Sequence, residues 1–446
     1  MKKVLLFIFL TIGVSFIASA QQCSDNFLGT KTLYKNSSQK YTPAPAGYFP
    51  VFINHVGRHG ARHLLKDVKT TFAYALLFQA DSVNELTNDG KHLKQMLIAL
   101  QKIEADNIKS ISAEGKNELA GLGERMYLNY GNVFKTKVSL SVAVTKEIRT
   151  KQSADAFLQG LNSKLRDSAT VKFYNDDTGL RFYDLSPAYK KFEAGVDIGA
   201  MTLALEKADH LSEIDKDVIS KFFTADFLNK LDEKQQAKFV TDVFGFTTIV
   251  YSLNAEINQK GYQPADLDFK SFFTCDELQK LGEMDSADEN LKKGAGTDID
   301  GIQVRVATPL LVDFINTTDD FVNTGNYTAC LRFAHAETIA PFAALLQIAS
   351  ADKTAKELSG LNTNWQAAKV IPLSANIQWV FYKRKGTPDY LVKVLLNEKE
   401  VPIDGLSPKS FPYYKWSDLR VLYINKLDKL HVKLTDDMNA YLSNLN

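Results

Sequence analysis

Gly57-Arg58-His59-Gly60-Ala61-Arg62-His63 follows directly on an apolar run from Tyr48 to Val56. The run reads as a buried strand, and the heptapeptide as the loop at its carboxyl end. Open α/β sheets bind ligands at that edge. Guanidinium forks suit phosphate oxygens, imidazole is a nucleophile that works near neutral pH, and glycines admit close approach of backbone to ligand. Taken alone, a basic loop beside a histidine is an ordinary solvated surface.

The same arrangement recurs twice downstream. Val138, Leu140, Val142 and Val144 alternate with small or polar residues, the pattern of a strand with one buried face. Arg149 stands at its end and opens Thr150-Lys151-Gln152-Ser153-Ala154 and a helix carrying Phe157 and Leu161. A helix start there favours an anion. Cys330 to Ala334 is a short strand that runs into His335-Ala336-Glu337, with a helix from Thr338 onward. A lone His-x-Glu is an ordinary surface pair; three such strand ends in one chain point to a built anion site.

These stretches resemble one family. Arg58-His59-Gly60-Ala61-Arg62 resembles the Arg-His-Gly-x-Arg signature of the histidine acid phosphatases, and Arg149 with Ser153-Ala154 resembles that family's phosphate-holding turn. Most members carry His-Asp at the third loop. His335-Ala336-Glu337 is similar to the form found in the multiple inositol polyphosphate phosphatase branch. Leu28-Gly29-Thr30-Lys31-Thr32-Leu33-Tyr34, the polar cap and Leu122-Gly123 pair of the segment from Ser112 to Tyr130, Leu180-Arg181-Phe182-Tyr183-Asp184 and Val392–Glu398 resemble further motifs of the family or this branch. The resemblance runs in order from about residue 28 to about 400. It departs at Leu64, where members often have proline, and at Leu65-Lys66, which keeps only the lysine of a Thr-Lys pair.

The resemblance implies a Rossmann-like, mostly parallel sheet flanked by helices. Residues 188–263 lack proline, and apolar residues from Leu203 to Leu231 fall at helical spacing, so a mostly helical inserted domain is expected over 185–300. The α/β core is then 21–184 and 301–446, with parts of 64–132 free to pack with the helices. Lys292-Lys293-Gly294-Ala295-Gly296 reads as a flexible end to the insert. Asn376–Lys383 and Tyr390–Asn397 read as paired strands.

At 446 residues the chain has room for two domains, and 45% apolar with 24% charged residues is ordinary for a folded protein. A formal charge of +1 gives no reason to expect nucleic acid as a partner. Lys2-Lys3, an apolar run from Val4 to Ile17 and Ala18-Ser19-Ala20 read as a secretory signal over residues 1–20. The mature chain then begins near Gln21, periplasmic or secreted and without stable membrane insertion. Gln21-Gln22 suit lipidation of Cys23 poorly, so no lipid anchor is expected. Cys23, Cys275 and Cys330 permit at most one internal disulfide, and the pairing stays open.

By the same resemblance His59 is the nucleophile and Glu337 the proton donor. Arg58, Arg62, Arg149 and His335 hold the phosphate. No metal or cofactor is implied. The expected activity is hydrolysis of inositol polyphosphates, including the hexakisphosphate, through a phosphohistidine. A polyanionic substrate calls for further cations: His63 and Lys66 first, then Arg181, Lys292 and Lys293. The alternatives are a broad acid phosphatase with the same residues, or an exported protein that binds phosphorylated ligands without turnover; the latter is disfavoured because His59 and Glu337 are both present. A cytosolic mutase sharing Arg-His-Gly conflicts with the leader and the long helical insert.

Overall fold

The computed structural model describes residues 23–36 and 40–446, so the leader read over residues 1–20 lies outside the described residues. Among the described residues eight strands form one sheet: β1 (Tyr48–Arg58), β2 (Ser139–Val144), β3 (Thr170–Asn175), β4 (Ala329–Ala334), β5 (Asn376–Arg384), β6 (Tyr390–Leu396), β7 (Lys399–Glu400) and β8 (Tyr413–Lys415). Their order is β3-β2-β4-β1-β5-β6-β7, with β8 also on β6. From β3 to β1 the pairing is parallel. From β1 onward it is antiparallel.

The α/β architecture is the expected one, but its parallel character stops at β1. β5 and β6 are joined by a short turn, which only antiparallel neighbours allow. β4 is buried along its whole length and β1 from Phe52 onward, because helices cover both faces. One face packs under the helices Thr308–Thr324, Ala336–Leu345 and Trp416–Lys429, around Phe52, Phe314, Trp379 and Tyr423. The other packs under Ala113–Tyr130 and Ile148–Asn162, around Leu119, Leu122, Phe157 and Phe333.

These last two helices touch backbone to backbone. A Cβ on Gly123 would come 2.1 Å from the Phe157 carbonyl oxygen, and one on Gly160 would come 1.9 Å from that of Ala120. Only glycine permits that approach. It matters because the second helix carries Arg149 and Ser153, and the first carries Glu118.

A separate apolar cluster joins Leu76 to Ile103 with Ile198 to Leu291, so the helices Phe72–Ser82 and Asn88–Glu104 pack with those between Val196 and Lys293. Phe27 and Leu28 of the N-terminal arm enter the same cluster. The arm is stapled there by a disulfide between Cys23 and Cys275, while Cys330 is free and buried on β4. Cys275 begins the helix Cys275–Lys293, whose end is buried and well held rather than flexible. The Asn290 side chain accepts from Gly296 N (3.1 Å) and donates to Leu361 O (2.9 Å), pinning the turn. Among the described residues no helix is long and apolar enough to cross a membrane.

Gly160→Ala should lower stability by about 1–3 kcal/mol, because the Ala120 carbonyl must move aside. Urea unfolding at pH 7 checks this; an unchanged midpoint would show that the two helices separate freely.

Candidate active site

β1, β2 and β4 end side by side, and their following loops form one pocket floor. The signature loop is fixed on both flanks. Arg58 N donates to Ala375 O (2.7 Å), His59 N to Ala334 O (2.9 Å) and Ser374 N to His59 O (3.1 Å). Beneath it lies the Glu118 carboxylate, which accepts from Tyr34 N (2.7 Å), Ala61 N (2.9 Å) and Ser374 Oγ (2.7 Å). Gly60 N donates to Ser153 Oγ (3.1 Å), tying the loop to the helix behind Arg149.

Arg58 is 3% exposed. One of its terminal nitrogens donates to Thr30 O (2.6 Å) and Ile371 O (2.5 Å), while Nε, also buried, has no partner among the described residues. Arg62 is anchored by a bond from Nη1 to His63 O (2.8 Å); burial, then Arg58, lowers its pKa to about 10. Arg149 donates to Glu147 (3.0 Å) and to His335 Nδ1 (3.2 Å), and its buried Nε also lacks a protein partner among the described residues. A buried donor without a partner is costly. An oxyanion is the partner that such charged guanidinium donors suit.

His59 lies in this cationic setting. Its Nδ1 is 3.0 Å from Gly60 O, which can only accept, so the proton sits on Nδ1 and Nε2 carries the lone pair. Burial, then Arg58 and Arg149, push its pKa well below 6.5. The ring is therefore neutral and ready to attack in mildly acid solution. His335 stands with its ring 5.6 Å from that of His59. Arg149 can only donate, so His335 Nδ1 accepts, and its Nε2 proton goes to Thr145 Oγ1 (3.1 Å). Burial and Arg149 lower its pKa to about 3. With both nitrogens engaged, His335 aims Arg149 and offers no free donor of its own in this arrangement.

Glu337 sits in the first turn of the helix Ala336–Leu345, with 34% of its side chain exposed. Its Oε1 is 3.2 Å from Lys293 Nζ. Crowding by protein atoms acts to raise the carboxyl pKa, but Lys293 and other positive groups outweigh it and hold it well below the ordinary range. As it stands Glu337 is a carboxylate, suited to activating water; acting as an acid requires that it take up a proton.

Three of the expected substrate cations are placed otherwise. His63 is 2% exposed and lies between Glu104 (3.3 Å) and Glu256 (3.7 Å), so it joins the loop to the helical cluster and is no substrate contact. Arg181 is neutralised by Asp184 and by Glu147 (2.8 Å), and steadies Arg149 through Glu147. Lys292 pairs with Asp288 (2.7 Å). Lys66 is exposed on the loop after the signature. Lys293, a lesser candidate in the sequence, reaches the centre from the insert. Lys31, which carried no role there, lies in the electrostatic field of Asp285 and of Arg62 and Arg58; its only signal was the Gly-Thr-Lys-Thr stretch. Among the described residues no group of three or more His, Cys, Asp or Glu could hold a metal ion.

The family described as histidine phosphatase superfamily (branch 2) matches over residues 51–397, and the chain belongs to it. It is a phosphatase. Multiple inositol polyphosphate phosphatase 1 of Gallus gallus is 22% identical over 344 residues, 73% of this chain and 71% of that protein. The fold is shared with the multiple inositol polyphosphate phosphatase of Bifidobacterium longum in complex with inositol hexasulfate. That match has TM-score 0.77 and 21% identity over 89% of this chain and 97% of the other. The phytase from D. castellii matches with TM-score 0.65 and 17% identity, over 96% of this chain and 93% of the other.

The buried neutral imidazole also sets a stability trend. In the unfolded chain His59 takes a proton near pH 6.5, whereas the folded site refuses it until far lower. The unfolded state therefore binds more protons, and stability falls as pH drops below that value. His59→Ala removes one such proton, so the acid decline should flatten by about 1.4 kcal/mol per pH unit. Urea unfolding at pH 7, 6 and 5 measures it; parallel slopes for the two proteins would mean His59 is already charged.

Proposed function

We propose that this chain is an exported phosphatase that hydrolyses inositol polyphosphates, including the hexakisphosphate, through a phosphohistidine on His59. The observation that carries the mechanism is the pairing of His59, with a free Nε2 lone pair, with unsatisfied guanidinium donors on Arg58 and Arg149. Nε2 attacks phosphorus in line. Arg58, Arg62 and Arg149 meet the charge spread over the equatorial oxygens. Glu337 gives a proton to the departing oxygen and afterwards takes one from the attacking water. The polyphosphate preference is supported by Lys31 and Lys293, cations beyond those one phosphate needs, and by the relatives, which are multiple inositol polyphosphate phosphatases, one of them in complex with inositol hexasulfate.

Inositol leaves as a strongly basic alkoxide, whereas an aryl phosphate releases a weak base. Glu337→Gln should therefore slow phosphorylation of His59 by inositol hexakisphosphate about 100- to 10,000-fold, and by an aryl phosphate far less. Rapid-quench labelling reads both bursts and identifies the labelled residue. Equal losses would remove Glu337 as the acid. Label on another side chain would end the phosphohistidine.

Export is supported by the leader-like residues 1–20 and by the Cys23–Cys275 bond, since disulfides persist in oxidising compartments. The same bond occupies the sulfur that a lipid would need. N-terminal sequencing of the mature protein should begin near Gln21; a retained Met1 would refute removal of a leader.

A further inference from the structure

Lys293 is an unusual neighbour for a proton donor. It is 9% exposed, ends the helix Cys275–Lys293, and is held by Glu289 of the same helix through two bonds of 2.8 and 2.9 Å. Its remaining reach is to Glu337 Oε1 at 3.2 Å. Facing Glu337 from other elements are Arg58, Arg62 and His335, with Tyr183 and Tyr189 from the segment after β3, and the Glu289 carboxylate on the helix of Lys293. The first contact of the proton donor is thus a cation that opposes its protonation.

We propose that Lys293 is a substrate-operated latch: a phosphate next to the one being cleaved draws the ammonium away from Glu337, and only then does Glu337 take up its catalytic proton. This deepens the inositol polyphosphate reading and rests on it. Three features favour movement of Lys293 over a static bridge. Glu289 accepts the ammonium at both oxygens, so Lys293 keeps a partner when it leaves Glu337. Glu337 keeps 34% of its side chain exposed, so solvent can supply the proton. The lysine stem is flexible, and its compact charge can swing between acceptors. In the armed state the His59 Nε2–phosphorus bond forms as the bridging P–O bond breaks. The freed electron pair on oxygen takes the Glu337 proton, leaving a carboxylate. A substrate with a single phosphate has nothing to draw Lys293 away, so its alkoxide leaves with little help. Discrimination then comes from arming the acid as well as from binding.

The test compares inositol hexakisphosphate with glycerol 2-phosphate, both with basic leaving groups, in the full-length enzyme and Lys293→Met. In the unaltered enzyme the basic limb of kcat should lie at higher pH for the hexakisphosphate than for glycerol 2-phosphate. Lys293→Met frees Glu337 in both complexes, so the limbs should coincide. The variant should gain on glycerol 2-phosphate by up to about tenfold and lose on the hexakisphosphate by about 10- to 100-fold. If Lys293→Met folds poorly because Glu289 is left without its partner, Lys293→Met/Glu289→Gln removes both charges and should show the same crossing. Equal losses on both substrates, or a loss on the hexakisphosphate alone with unmoved limbs, would overturn the latch. The inositol polyphosphate reading would survive either result. An unaltered enzyme that cleaves glycerol 2-phosphate and ignores the hexakisphosphate would overturn both.

Discussion

Everything at this sheet edge follows from crowding positive charge into a space water barely reaches. Buried cations are tolerated only when hydrogen-bonded or paired, and each here is held differently. Arg58 uses two main-chain carbonyls, Arg62 another, Arg149 a carboxylate and an imidazole, and Lys293 two carboxylates. Main-chain carbonyls matter because they steady a guanidinium without cancelling its charge. Burial, together with the field that results, keeps His59 unprotonated. The same arrangement that grips a phosphate therefore also supplies the nucleophile.

The elements involved come from distant parts of the chain, and a few polar groups make them one unit. The Glu118 carboxylate joins the arm at Tyr34, the signature loop at Ala61 and the turn before β5 at Ser374. Its own pKa is raised by burial, yet three donors converge on it, so its loss would leave them unpaired in the interior. On the other side Arg181, Glu147, Arg149 and His335 form a chain of contacts that fixes the direction of one fork. Neither network touches the phosphate position through its outer members; both decide where the inner ones point.

The residues readable from the sequence were those whose roles are local. A buried strand followed by Arg-His-Gly, Arg at a helix start, or His-Ala-Glu places the side chain at the sheet edge whatever the rest of the chain does. Roles set by packing were not readable. His63 adjoins Arg62 in the sequence, yet its ring turns back between Glu104 and Glu256, which come from helices no spacing rule connects. Lys292 and Lys293 look alike as a pair, but helical geometry sends them to different neighbours, Asp288 for one and Glu337 for the other. β3 escapes a reading of the sequence because Thr170–Asn175 is largely exposed at the sheet edge and carries no long apolar run. The glycines after Lys293 suggested flexibility, and the side chain of Asn290 uses them instead for a buried turn.

The strand order has a consequence for how such a molecule is made. β4 lies between β1 and β2, yet it is synthesised only after the whole run of helices from Val196 to Lys293 has emerged. Until then β1 and β2 lack the strand that joins them, and their main-chain donors and acceptors form open edges that other nascent chains can pair with. The helices Ala113–Tyr130 and Ile148–Asn162, locked through their glycines, lie over one face of β2 and can shelter its apolar side early. β1 has no such early cover from sequence-adjacent strands. The most vulnerable form of this protein is therefore a chain stopped before Ala329, which has its nucleophile loop but no sheet to hold it.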